Sequence, residues 1–256
     1  MAKSINVTAE VSSLLQRSTV DGTVLKLPDE QLDRATYEAV NKIIVAIGGK
    51  WDRRKGGHVF TFDPTDKIAE AVGGGAVENR KQTLQFFETP VELADRLVSK
   101  LGRIEDAICL EPSAGRGRIV QALAMRDPRQ VIAVEIDITN GDALISQNQA
   151  HDIIVGDFLE QRTAVLACDF VAMNPPFTRN QDIKHVRHAF DCLRPGGTLA
   201  AIVSEHGFIG QERECVEWRE WLAAVGAEIE TIPAGAFKES GTSIPTRMIV
   251  IQKAPA

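Results

Sequence analysis

Asn174-Pro175-Pro176-Phe177 sets an amide, two φ-fixing rings and an aromatic face in four consecutive residues. The amide oxygen of an asparagine accepts a hydrogen bond from an exocyclic amine. The prolines lock the neighbouring carbonyls and remove competing N–H donors, and a phenyl ring lies flat on a heterocycle. Such a quartet suits an aromatic amine whose nitrogen lone pair must face an electrophile. Upstream lie a glycine turn after an apolar run (Glu111-Pro112-Ser113-Ala114-Gly115-Arg116-Gly117), an acid with an apolar neighbour (Glu135-Ile136), and Gly156-Asp157-Phe158. In the turn, Gly115 and Gly117 let the backbone approach a ligand closely, while small Ser113 and Ala114 leave it room. Glu111 is placed to face a cationic amino or sulfonium group. Glu135 can accept from both hydroxyls of a ribose, and Asp157 from a purine amine with Phe158 lying on the ring.

These segments need strands to carry them. Helices and strands alternate after residue 76 as in a parallel α/β sheet. The pattern predicts a helix over 90–101, capped by Thr89 with Pro90 at its first position. Strands follow at 107–111, 131–135, 152–155 and 170–173, and a turn at 194–197 feeds a strand at 199–204. Helices are expected at 118–125, 182–193 and 213–225, and closing strands at 228–232 and 247–252. The reading is a seven-stranded, doubly wound, Rossmann-like sheet. All four chemical segments then fall at the carboxyl ends of the first four strands, where open α/β sheets bind ligands. The glycine turn lacks the full GxGxxG pattern and the lysine of a P-loop, which counts against NAD and ATP.

Residues 1–75 read as a small α+β appendage, joined to a domain at 76–256 by the glycines around 72–76. A short helix at 8–16 and a β run at 22–27 precede a strong helical pattern at 29–46. A hairpin follows, with Lys50-Trp51 on one arm, Arg53, Arg54 and Lys55 at the tip, and His58 opening the other arm. Lys50, Arg53, Arg54, Lys55 and His58 form a basic set that would contact phosphates; a solvated hairpin tip is the simpler alternative. Arg179, Lys184, His185, Arg187 and His188, after the quartet, pose the same choice.

At 256 residues, 44% apolar and 25% charged, the composition is that of a globular protein. The net charge of −6 argues against a surface coated in nucleic acid but leaves room for a local basic groove. Cys109, Cys168, Cys192 and Cys215 are widely spaced with no CxxC, so free buried thiols are expected and no metal. There is no apolar stretch of membrane-spanning length and no signal-peptide pattern at the start, so a cytoplasmic location without membrane association is the default.

Taken in order, the glycine turn, Glu135, Asp157-Phe158 and Asn174-Pro175-Pro176-Phe177 resemble the motifs of S-adenosylmethionine-dependent amino-methyltransferases, in particular the gamma-class adenine-N6 DNA methyltransferases. Phe87-Glu88-Thr89-Pro90 resembles the family segment ahead of the first strand, where the threonine and its neighbours contact the methionine part of the cofactor. The resemblance implies S-adenosylmethionine as cofactor at Phe87, Thr89, Pro90, Glu111, Ser113, Ala114, Gly115, Gly117, Glu135, Ile136, Asp157, Phe158 and Asn174. It implies methyl transfer to adenine N6 in DNA, by base flipping, at Asn174, Pro175, Pro176 and Phe177. Phe237, before the last strand, is similar to the residue supplying a second aromatic wall, although an ordinary loop anchor fits it equally. Asn-Pro-Pro-Phe also occurs in ribosomal RNA methyltransferases, and a related Asn-Pro-Pro-Tyr in enzymes that modify glutamine in proteins. A non-catalytic DNA-binding protein on the same fold is a third reading, against which the intact quartet argues. Gamma-class enzymes usually carry a large C-terminal recognition domain. This chain ends just after its last strand and looks like the small solitary enzymes of phages and mobile elements, so sequence specificity would be weak, or would come from residues 1–75, a homodimer or a partner.

Overall fold

The computed structural model describes residues 4–60, 62–78, 88–233, 235, 237 and 245–256. The chain divides into two compact units, Met1–Phe86 and Phe87–Ala256.

In the first unit β1 (Ser4–Asn6) leads into α1 (Ala9–Arg17), whose cap Thr8 accepts from the Val11 amide. The expected run at 22–27 is a tighter structure, a hairpin of β2 (Thr19–Asp21) and β3 (Val24–Lys26) turned at Gly22. α2 (Arg34–Ala46) starts later than its apolar pattern suggests, because the Asp33 carboxylate accepts from the Ala35 and Thr36 amides at 2.8 and 3.1 Å and fixes the first turn there. β4 (Lys50–Asp52) and β5 (Gly57–Val59) form the basic hairpin, and complete an antiparallel sheet in the order β2-β3-β5-β4. The sheet closes tightly at Gly57, where a Cβ would lie 2.7 Å from the Leu25 carbonyl oxygen. Val11, Leu14 and Leu15 of α1 meet Val40, Ile43 and Ile44 of α2 in one apolar core with Leu25 and Phe60. α3 (Thr65–Gly74) and β6 (Ala76–Glu78), which pairs antiparallel with β1, complete this unit. The glycines at 73–75 thus end α3, with Gly75 at φ +64°, and the chain divides after Phe86, later than the expected joint.

The second unit runs α4 (Val91–Ser99), β7 (Ile108–Glu111), α5 (Arg118–Ala124), β8 (Gln130–Glu135), α6 (Ile138–Gln147) and β9 (Asp152–Val155). It continues with β10 (Cys168–Met173), α7 (Gln181–Cys192), β11 (Leu193–Ser204), α8 (His206–Ile209), α9 (Arg213–Ala224), β12 (Glu228–Ile232) and β13 (Thr246–Gln252). Seven strands form one sheet in the order β12-β13-β11-β10-β7-β8-β9, with β13 antiparallel to both neighbours and the other pairings parallel. Alternate residues feed two cores. Ala133, Ala200 and Ile202 pack on one face with Leu97 and Leu123, whereas Val134, Ala201 and Val203 pack on the other with Val186 and Trp218. The turn expected at 194–197 is an irregularity within β11, whose Leu193 pairs with Cys168 and whose Thr198 pairs with Phe170. Strand order reverses at β7, between β8 and β10. Among the described residues no helix is long and apolar enough to cross a membrane.

Candidate active site

The carboxyl ends of β7, β8, β9 and β10 lie side by side at this reversal and bring the quartet, the glycine turn and the two acids into one region. Glu111 ends β7 fully buried. Its Oε1 accepts from the Ser113 amide at 3.1 Å, and its Oε2 is buried with no hydrogen-bond partner among the described residues. Burial, and then the charge of Glu135, push this carboxyl well above its usual range. The Ser113 hydroxyl beside it is likewise buried without a partner.

Gly115 and Gly117 adopt φ +54° and +86°, conformations that cost a residue with a Cβ. At Gly117 a Cβ would also meet Leu144 Cδ2 at 2.8 Å and Gln147 Oε1 at 2.9 Å, since α6 packs directly on the turn. Ala114 donates its amide to the Val134 carbonyl at 2.9 Å, which ties the turn to β8. Glu135 holds the same turn from the other side, its two oxygens accepting from the Gly115 amide at 2.6 Å and the Asp137 amide at 2.7 Å. These bonds offset part of the desolvation that raises its pKa. The Asn140 side chain adds a further hydrogen bond to this carboxylate, which still has acceptor capacity left for a ligand. Ile136, next in the chain, is 54% exposed and offers an apolar surface at the end of β8.

Asp157 caps the short turn Phe158–Glu160, its Oδ1 accepting from the Leu159 amide at 2.8 Å. That turn directs Phe158 inward. The ring is buried, 5.6 Å from His185 and 4.8 Å from His188, so it is a core residue and not a ligand platform. Ile136 after β8 and Val155 at the end of β9 are exposed apolar side chains at these strand ends. Phe237 is corrected in the same way: it is buried in the cluster with Leu97 and Ile202, against which Phe177 packs half-buried.

Asn174 follows β10, and its Nδ2 donates to Thr89 Oγ1 at 3.0 Å. This bond fixes the amide so that Oδ1 is the free end, and Oδ1 is buried without a hydrogen-bond partner among the described residues. Thr89 is therefore not the cap of α4. Pro90 occupies that position, and the threonine hydroxyl serves Asn174 instead. Phe87 lies outside the described residues. Pro175 is buried, and beyond Phe177 the chain passes through Arg179 and Asn180 at φ 55° and 57°, successive left-handed residues of the kind found where a site holds its backbone under strain. Asn180 is tied there by Glu214 Oε2 at 2.8 Å.

One residue near the quartet had no signal in the sequence. Asp182 is buried in the first turn of α7 and accepts from both the amide and the hydroxyl of Ser204, at 2.9 and 2.7 Å, joining the segment after the quartet to the end of β11. Of the basic residues after the quartet, His185 and His188 pack on Phe158, and Arg187 lies over Trp221 and donates to the Glu217 carbonyl. Arg179 and Lys184 remain exposed. The four cysteines are free and buried. Cys215 lies near His206 and Glu212, with the polar atoms of the three within 4.8 Å of one another.

In the first unit Lys50, Arg53, Arg54 and Lys55 are exposed on the hairpin, as the spacing suggests. His58 is not. It is fully buried, its Nε2 lies 2.9 Å from Asn41 Oδ1, and burial lowers its pKa, so it leaves the basic set.

No family model matches the chain. Defense against restriction protein B of Escherichia phage P1 is 24% identical over 259 residues, a match covering 94% of this chain and 11% of that protein. The chain thus spans about a ninth of the length of this relative. Among solved structures it is similar to a type I restriction-modification methyltransferase subunit from Streptococcus thermophilus (TM-score 0.57, 18% identity, 86% of this chain and 53% of that one). The M protein of the type I restriction enzyme EcoKI (0.56, 17%, 87% and 55%) and the type IIG restriction endonuclease BpuSI (0.55, 19%, 75% and 28%) are similar as well. The fold is the Rossmann-like fold of methyltransferases.

Proposed function

We propose that this protein transfers a methyl group from S-adenosylmethionine to the exocyclic N6 amine of adenine in DNA. The observation that carries this reading is the buried Oδ1 of Asn174, which has no hydrogen-bond partner among the described residues and belongs to an amide fixed by Thr89 just after β10. A buried acceptor without a donor costs free energy, and the N–H of a bound amine satisfies it. The residues at the neighbouring strand ends fit the cofactor. Buried Glu111 has a free oxygen for a cationic group, Gly115 and Gly117 give the turn its left-handed backbone, Glu135 and Asp157 offer carboxylate oxygens, and Ile136 offers an apolar face. S-adenosylmethionine bound there supplies a methyl group activated by a cationic sulfur.

The protein's own contribution is orientation and local electrostatics. An adenine amine is a weak nucleophile because its lone pair is delocalised into the ring. Donation of its N–H groups to Asn174 Oδ1 and to a carbonyl of the proline-locked backbone favours a pyramidal nitrogen with the lone pair free. Phe177 stacks on the base, which must leave the duplex to reach the pocket. A C–N bond forms as the S–C bond breaks, and the nitrogen then sheds a proton to solvent. We assign this reaction to the cytoplasm, with DNA as the macromolecular partner and with sequence choice supplied by the first unit, a second copy or another subunit. The names of the similar restriction-modification structures and of the phage protein support DNA as the substrate class.

The test incubates the full chain and labelled S-adenosylmethionine separately with DNA, ribosomal RNA and cell extract, and analyses the products by mass spectrometry. N6-methyladenine in DNA is expected. Label confined to RNA or to protein glutamine would move the substrate to those classes. Asn174→Ala should keep cofactor binding and lose at least about 100-fold in rate; unchanged turnover removes Asn174 from the reaction.

A further inference from the structure

The basic hairpin of the first unit carries a feature that charge alone does not explain. β4 is an edge strand of its sheet, and lysine on an edge is a common guard against pairing with another chain. That accounts for Lys50. It does not account for Trp51, half of whose surface is exposed at the same edge.

The indole is held from one side. Trp51 is the cross-strand partner of His58, and the two ring centroids lie 5.1 Å apart with planes at 69°. His58 is fully buried and anchored on Asn41 of α2, so the indole rests on a fixed group. The other large exposed apolar side chains among the described residues of this unit, Tyr37 and Val45, sit one turn before and one turn after Asn41 on α2.

The charge along the hairpin is mostly of one sign. Lys50, Arg53, Arg54 and Lys55 are exposed, and none forms an ion pair among the described residues. The one acid between them, Asp52, spends its Oδ1 on the turn, accepting from the Arg54 amide at 2.7 Å and the Lys55 amide at 3.2 Å. That carboxylate shapes the tip and leaves the cations unpaired.

A half-exposed, anchored indole flanked by unpaired cations matches a chain of phosphates that carries accessible planar bases. In a duplex the base faces are covered by stacking, and an unpaired strand leaves them open. We propose that the hairpin is a binding site for single-stranded DNA, with one unpaired base stacked on Trp51 and the adjoining phosphates on Lys50, Arg53, Arg54 and Lys55. The proposal rests on DNA being the substrate, yet it is read without methyl transfer.

The experiment measures fluorescence anisotropy of labelled oligo(dT), a matched duplex and oligo(rU) with the full chain carrying Asn174→Ala, in the absence of cofactor. Tighter binding of oligo(dT) than of either competitor is expected. Trp51→Ala should weaken it by about 5- to 150-fold, the loss typical of one stacked base, while Trp51→Phe retains most of the affinity. Replacing Arg53, Arg54 and Lys55 by glutamine should reduce the slope of log K against log salt by about 2, as three lost phosphate contacts require. Equal affinity of Trp51→Ala and its parent overturns the proposal, as does preference for the duplex or for oligo(rU). Because the readout is binding by a variant that lacks Asn174, its failure is distinct from failure of the methyl-transfer reading.

Discussion

Thr89 and Asn174 form a two-residue device in which the position of one oxygen depends on a single hydrogen bond. Thr89 Oγ1 accepts from Nδ2, so the amide cannot rotate to present nitrogen to the amine without losing that bond. Thr89→Val removes the acceptor at nearly constant shape. The expected result is a fall in single-turnover rate of about 10- to 100-fold, the scale set by misplacing a reacting group, with recovery in Thr89→Ser. Equal rates for valine and threonine would show that Asn174 is oriented by other means. The residue types of this device were legible in the sequence, because an amide before two prolines has a chemical signature. Side-chain direction was not. Phe158 and Ile136 are adjacent to neighbouring strand ends and both apolar, yet the turn after Asp157 buries the phenyl ring while Ile136 stays exposed. His58 shows the same limit: its place beside the cationic tip suggests exposure, and the strand alternation that pairs it with Trp51 turns it into the core.

At the scale of elements, the glycine turn works because α6 closes over it. Gly117 combines φ +86° with a contact to α6 that leaves a Cβ 2.8 Å from Leu144. Gly117→Ala should therefore cost about 1–3 kcal/mol of stability from backbone strain and overpacking together, read as a lower denaturation midpoint at constant m-value. Weaker cofactor binding is expected in the same variant, and an unshifted midpoint would mean that the turn and α6 move apart freely. The parallel strands were readable because burial on both faces makes them continuous apolar runs, as at 131–134 and 199–203. α6 was not, since Asn140, Gly141, Asp142 and Ser146 dilute its apolar pattern and its start depends on the cap at Asp137. Gly141 belongs there for a tertiary reason, the approach of Val155 to within 2.6 Å of where its Cβ would be. Short β1 and β6, three residues each and paired across the length of the first unit, carry no local signal at all.

For the molecule as a whole, four carboxyl groups of the second unit are buried among the described residues, Glu111, Glu135, Asp137 and Asp182, and burial is the largest cause raising the pKa of Glu111, Glu135 and Asp182. A carboxyl whose folded pKa lies above its unfolded value holds its proton longer in the native state. Its favourable contribution is complete below the ordinary value, 4.5 for Glu111, and is lost as pH rises through the folded value. A cation beside the free oxygen of Glu111 reverses the sign, because it favours the ionised form. The stabilisation given by S-adenosylmethionine should accordingly grow as pH rises, with proton release on binding wherever the ligand-free carboxyl is still neutral. Other groups titrate over the same range, so the informative quantity is the difference between wild type and Glu111→Gln. Melting temperatures of both, with and without S-adenosylmethionine from mildly acid to mildly alkaline pH, give it directly. Without ligand, the glutamine variant should gain on wild type as pH rises. With ligand, wild type should recover that loss and the variant should show a shift that no longer depends on pH. A ligand-induced shift that rises with pH equally in both proteins would place the cation away from Glu111 and leave the buried carboxyl without its proposed role.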